Sequence, residues 1–191
     1  MIDEKYFDEL KEKLTELEEK RDELLGESIR ITRLSKETIY SIIRGDFGRA
    51  KEKIETMDNL VKQLKEKIRQ YPWFYNTISI CFQEYAEAKI LYYFIKENRI
   101  PTHEEIGIDE VSYINGLIDF AGELSRKATE EMIKNNIEFA MKAKEIIEYI
   151  YLKMLYMEFK NYDLRRKVDY IAGVLNSLKE KIFYKTLFKQ K

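Results

Sequence analysis

Four acidic side chains stand in two runs that are otherwise apolar: Glu84 and Glu87 in SICFQEYAEAKILYYFI, and Asp119 and Glu123 in YINGLIDFAGEL. A buried carboxylate without a partner costs several kcal/mol or gives up its charge. Spaced three and four residues apart, the members of each pair project from one face of a helix. On the first helix that face continues as Ile80, Glu84, Glu87, Leu91 and Phe94, so two acids lie within an apolar stripe. No Lys or Arg occurs between Asp109 and Arg126 to neutralise the second pair locally. Four like charges brought together call for a cation, and an all-oxygen donor set suits Mg2+ or Mn2+.

Other chemistries lack their residues. The chain has one histidine, His103 in PTHEEIG, and one cysteine, Cys81, which excludes structural zinc and a Cys–His nucleophile. Neither acid pair continues into the Glu-x-x-His of a ferritin-like di-iron site. Gly45 and Gly48 in RGDFGRA lack the Lys-Ser/Thr of a phosphate loop. A Glu-x-x-Glu step on its own is commonly a solvated, salt-bridged helix face, so the metal reading rests on the apolar setting and on the second pair. Two basic groups stand out, Arg30, Arg33, Lys36 and Arg44 in one and Arg165, Arg166 and Lys167 in the other. Such runs form solvated surface by default, and phosphate contacts where aromatic rings offer stacking nearby. Arg30, Arg33 and Arg126 are the candidates to hold phosphates.

The elements that position these residues read as helices throughout. Leucines and Phe7 recur at steps of three and four from Asp3 to Arg44, with Gly26 marking a candidate bend. Gly45, Asp46 and Gly48 make a turn, with Asp46 as N-cap of a charged helix from Phe47 to about Gln70. Pro72 breaks that helix, and the first acid-bearing helix is expected near Trp73–Lys96. Thr102 and Glu105 read as a capping box after Pro101. The second acid-bearing helix is expected from about Glu110 to Asn135, another from Ile137 to Phe159, and the last from Tyr162 to about Leu187. On that last helix Leu164, Val168, Ile171, Leu175, Leu178 and Ile182 form a stripe that either fills the protomer's own core or meets a partner helix. The expectation is an all-α single domain over residues 1–191, a bundle of about six or seven long antiparallel helices.

Composition agrees. Apolar residues make up 45% and charged residues 36% of 191, with two prolines and seven glycines, a profile of long helices with solvated outer faces. Basic and acidic residues nearly balance at 34 and 35, so no overall attraction to nucleic acid or anionic membrane follows, only local patches. A lone cysteine in an apolar run reads as a buried, inert thiol in a reducing compartment. The charged start MIDEKYFDELKEK is no secretory signal, and no apolar run reaches the roughly 20 residues of a membrane span. The reading is a cytoplasmic protein without membrane contact.

The same residues carry a family resemblance. FQEYAEAKILYYFIK resembles the first acidic helix of translin-associated factor X, the catalytic branch of the translin superfamily. YINGLIDFAGELSR is similar to its second, through Tyr113, Gly116, Asp119, Gly122, Glu123, Leu124 and Arg126. IRITRLSKETIYSIIR matches the family's N-terminal Arg-x-Ile-Thr segment, and YDLRRKVDYIAGVLNSLKEKIFY matches more loosely. The resemblance implies a translin-like α-α superhelix and an RNase that cuts single-stranded RNA inside a hollow assembly, commonly an octamer. It implies Mg2+ held by four carboxylates, and acids stand at all four positions here: Glu84, Glu87, Asp119 and Glu123. The short loop between the acidic helices and the missing basic N-terminal extension suit a self-assembling homo-oligomer rather than one needing a separate translin subunit.

The expectation is thus a Mg2+-dependent endoribonuclease on single-stranded RNA, with single-stranded DNA as a further substrate and Glu123 as the base that takes the water proton. Two other readings stay open. One is an all-α nucleotide pyrophosphohydrolase of the MazG or dimeric dUTPase type, whose usual Glu-x-x-Asp second motif contrasts with Asp-x-x-x-Glu here. The other is a non-catalytic RNA-binding helical scaffold whose acids only form salt bridges.

Overall fold

The structure, a computed structural model, describes residues 3–189. Six long helices carry the fold: α1 (Glu4–Arg44), α2 (Phe47–Gln70), α4 (Ile80–Glu97), α6 (Glu110–Ile133), α7 (Ile137–Tyr156) and α8 (Tyr162–Lys189). Two single turns, α3 (Tyr75–Ile78) and α5 (His103–Ile106), complete the order, and no strand occurs among the described residues. The expected all-α class and most helix limits are found. No helix among the described residues is long and apolar enough to cross a membrane.

Helix ends follow local chemistry. Asp3, Asp46, Asp109 and Asn136 each accept a hydrogen bond from a backbone N–H of the first turn they cap. Thr102 and Glu105 make both bonds of the capping box. Gly45, in the left-handed region at φ 84°, closes α1 by donating its N–H to the carbonyls of the last turn. Helix α1 passes through Gly26 without interruption, because strong helix formers on both sides outweigh one glycine. The first acid-bearing helix starts later than expected. Pro72 opens a short 3-10 turn (Pro72–Phe74), α3 follows, and the chain is jointed at Ser79, where Gln83 N reaches the Ser79 carbonyl only at 3.5 Å. Ile80, expected on the apolar stripe, is exposed.

Contacts fix the direction of each helix. Glu27 pairs with Lys67 and Glu37 with Lys53, so α1 and α2 form an antiparallel hairpin. In contrast, α4 and α6 run parallel: Ala86 meets Gly116, and Phe94 packs edge-to-face on Phe120 at 5.6 Å. Between α6 and α8 it is again the same, through Asp119 with Lys167, Gly122 with Tyr170 and Thr129 with Lys181. The antiparallel expectation therefore fails for the helices around the acids. The physical reason is the segment Asn98–Asp109, which carries the chain back along α4. Tyr113 donates to the Pro101 carbonyl and Lys65 to that of Gly107, tying the return down.

The core is one contiguous set of side chains from Leu24 to Ile182, with Ile42, Met57, Leu91, Phe120 and Leu124 fully buried where α1, α2, α4 and α6 meet. Val168, Ile171, Leu175, Leu178 and Ile182 of the α8 stripe are buried within the protomer against α6 and α7. Cys81 is fully buried, and loss of water pushes its thiol up to about 12, which makes it inert. At the other extreme, α1 has no buried residue before Leu24. Its first five turns, about 30 Å at 1.5 Å per residue, carry Tyr6, Phe7, Leu10 and Leu14 exposed.

Candidate functional site

Gly116 explains how the two acid pairs meet. A Cβ there would stand 2.7 Å from the Ala86 Cβ, 2.7 Å from the Gln83 carbonyl oxygen and 3.0 Å from the Glu87 nitrogen. Only glycine lets the α6 backbone lie on α4 at this level. One turn onward, Asp119 and Glu123 face Glu84 and Glu87, and all four line one cavity of about 510 Å³. Lys36, Ile39 and Tyr40 of α1, Gly122 and Arg126 of α6, and Tyr170 of α8 complete its wall. Four helices running in one sense thus contribute to it.

Each carboxylate has a distinct environment. Glu87 is 7% exposed and makes no salt bridge within 4 Å among the described residues. Burial first, then the charges of Asp119, Glu123 and Glu84, push its carboxyl up to about 9. Glu84 lies 3.8 Å from Lys36 Nζ, and burial raises its carboxyl against that cation's pull. Asp119 accepts a hydrogen bond from the Gln83 amide and lies 3.6 Å from Lys167 Nζ. Glu123 Oε2 is 2.6 Å from Arg126 Nη2, but the guanidinium does not aim an N–H at it, and this buried oxygen is left without a hydrogen-bond partner. Burial raises the Glu123 carboxyl, with Arg126 opposing.

Among the described residues no three His, Cys, Asp or Glu side chains stand close enough to grip a metal ion as they are. Like charges held apart by repulsion explain the spread: three of the four turn toward Lys36, Lys167 or Arg126. The donor chemistry nonetheless fits a hard divalent cation. The donors are all oxygen, one of them is buried and unbonded, and burial disfavours the charge on Glu84, Glu87 and Glu123 until something compensates it.

The candidate phosphate contacts divide. Arg126 lines the cavity. Arg33 is held by Glu37, which also binds Lys53, on the side of α1 that faces α2. Arg30 is exposed and does not line the cavity. The sequence does not single out Gln83, Tyr40 or Tyr170 for the site, and it places Lys36 and Lys167 only in basic groups. Gln83 was within reach, since it precedes Glu84 in the motif. Lys167 and Tyr170, three apart on α8, have no local signal linking them to Asp119.

Comparison with known proteins adds a family. The family model described as Translin family matches residues 19–187. An uncharacterized protein of Methanocaldococcus jannaschii is 31% identical over 159 residues, covering 81% of this chain and 71% of that protein. Among solved structures, apo-NeC3PO is similar with a TM-score of 0.90 and 49% identity over 97% of this chain and 98% of its own. The AfC3PO–duplex RNA complex is similar with a TM-score of 0.87 over 97% and 99% of the two chains, and at 24% identity that likeness is one of fold.

Proposed function

The chain belongs to the translin family, and from that premise we propose that it is a metal-dependent endoribonuclease that cuts single-stranded RNA within a homo-oligomeric assembly. The observation that carries this reading is the meeting of Glu84, Glu87, Asp119 and Glu123 in one cavity, with Glu87 buried and lacking a salt bridge among the described residues. A pair of solvated salt-bridged faces, the bland alternative, does not account for a buried carboxyl raised to about 9.

Glu84, Glu87, Asp119 and Glu123 would hold Mg2+, or Mn2+ in its place, and the ion would supply positive charge at the scissile phosphate and acidify the attacking water. The chain's own residues do the rest. Lys36, Lys167 and Arg126 set cations around the acids, where phosphate oxygens on either side of the scissile bond can be held. Were Glu84 and Asp119 committed to such an ion, Lys36 and Lys167 would be free for phosphate. Glu123 takes the water proton: it lines the cavity with the other three acids, and burial raises its carboxyl's affinity for a proton against the pull of Arg126.

Assembly is supported by apolar surface that the protomer leaves open, Tyr6, Phe7, Leu10 and Leu14 on α1 and Tyr149, Leu152 and Tyr156 on α7. A second copy of the chain is the proposed cover, with an octamer as the size to test by light scattering and no separate translin subunit required. AfC3PO, a protein of the same fold, has been solved in complex with duplex RNA, so the strand form of the substrate belongs in the experiment.

The test is a Mg2+ titration with end-labelled single-stranded RNA, its duplex, single-stranded DNA and NTPs. Wild type should cleave single-stranded RNA internally, EDTA should stop it, and Glu87→Ala and Glu84→Ala/Asp119→Ala should be inactive while keeping their helical circular dichroism. Intact RNA at saturating metal, or undiminished cleavage by the double variant, overturns the proposal. Pyrophosphate release from NTPs would replace it with the pyrophosphohydrolase reading.

A further inference from the structure

A second cavity of about 520 Å³ opens between α6 and α8 and shares Gly122, Arg126 and Tyr170 with the carboxylate cavity. The two cavities adjoin, and Tyr170 stands between them. A Cβ on Gly122 would stand 2.5 Å from the Tyr170 hydroxyl, so the tip of the phenol lies against the α6 backbone between Asp119 and Glu123. Tyr170 is nonetheless 52% exposed. Beyond it the groove is walled by the hydroxyl side chains of Ser125, Thr129 and Ser177. Lys181 lies at its far end with Nζ 3.4 Å from Thr129 Oγ1, and Glu130 is an acid along it.

The geometry points to this α6–α8 groove as the track of the RNA strand beside the cleavage position, with Tyr170 as the platform on which the first base stacks. The inference rests on the nuclease reading of the carboxylate cavity and adds how the substrate lies and why it is unpaired. An aromatic ring held at one edge offers a face that any base can cover, without regard to sequence. A base inside a duplex has both faces occupied by its neighbours and cannot offer one. Hydroxyls and two cations, Arg126 and Lys181, match the sugar and phosphate of a strand continuing along the groove. Tyr170 is thereby a specificity-determining residue that selects single strands.

Fluorescence anisotropy in EDTA tests this apart from cleavage, using labelled single-stranded RNA and its duplex against wild type, Tyr170→Leu, Tyr170→Phe and Lys181→Glu. Tyr170→Leu should bind the single strand roughly tenfold or more weakly, the range typical of a lost stacking ring. Tyr170→Phe should stay within about twofold of wild type, since the stacking face remains. Lys181→Glu should weaken binding and flatten its salt dependence. Duplex affinity should not change with Tyr170→Leu. Wild-type affinity in both Tyr170→Leu and Lys181→Glu, equal losses in Tyr170→Leu and Tyr170→Phe, or no single-strand binding by wild type would each overturn the track. The two readings fail separately. Wild-type binding and cleavage by the groove variants would remove the track and leave the nuclease, whereas the expected binding pattern without any cleavage would do the reverse.

Discussion

In the absence of divalent cations, Glu87→Gln should stabilise the protein, and the gain should grow with pH. The exchange keeps the shape of the side chain and removes its titration. Burial, then Asp119, Glu123 and Glu84, push the folded-state carboxyl up to about 9, against 4.5 for an ordinary glutamate. Between those limits the folded protein holds a proton that the unfolded chain has released, so stability contributed by the neutral carboxyl is lost as pH rises through the window. Each unit is worth about 1.4 kcal/mol, which makes the wild-type penalty about 3 kcal/mol at pH 7 and under about 1 kcal/mol at pH 5. The groups facing Glu87 act on both proteins alike: Glu84 on its own helix, Asp119, Glu123 and Arg126 on α6, Lys36 from α1, and Lys167 and Tyr170 from α8. Comparing the two proteins therefore isolates position 87. Urea denaturation in EDTA at fixed protein concentration, near pH 5, 7 and 8, gives the difference directly. Saturating Mg2+ should shrink the difference, since ligand at about 100 times Kd adds about 2.7 kcal/mol to wild type and less to the variant. No gain in EDTA at pH 7 or 8, or a gain independent of pH, would refute the buried neutral carboxyl.

Gly116→Ala should cost about 1–3 kcal/mol in denaturation experiments, because its methyl overlaps Ala86 and the Gln83 carbonyl. It should also reduce cleavage beyond that loss, by spreading the acid pairs. Lys127 is buried, with Nζ 3.0 Å from the Ile43 carbonyl at the end of α1 and 2.9 Å from Glu131. Lys127→Met, which strands the Ile43 carbonyl and leaves Glu131 with Lys134 and Asn136 alone, should lower stability by about 1–3 kcal/mol, and an unchanged urea midpoint would show the lysine to be dispensable. Thr102→Ala removes one arm of the capping box and should cost about 1 kcal/mol without altering cleavage, read from thermal denaturation beside the RNA assay.

What the sequence disclosed and what it hid follow from the range of the interactions. Most helix limits, the Thr102–Glu105 box and the inert Cys81 depend on neighbours a few residues away and were readable; the start of α4 was not, since no proline or glycine marks the joint at Ser79. The pairing of Glu84 with Glu87 and of Asp119 with Glu123 was readable for the same reason. That the two pairs share a cavity depends on Gly116 meeting Ala86, a contact between helices with no periodic trace in either. The sense of α4 against α6 was misread because a short connection usually means a hairpin, whereas Asn98–Asp109 runs back along α4. Lys36 and Lys167 stand out in the sequence only as members of basic clusters, and that they reach Glu84 and Asp119 while Arg30 and Arg33 do not is revealed only by the packing of α1 and α8.

The exposed first half of α1 gives the protein an internal gauge. Its backbone amides are protected only by their own helical bonds, so in an isolated protomer residues before Leu24 should exchange hydrogen far sooner than the buried turns from Ile31 to Ile42. Slow exchange there would mean that another chain is lying on Tyr6, Phe7, Leu10 and Leu14. One segment of one helix can thus report, peptide by peptide, when protomers come together and when they part.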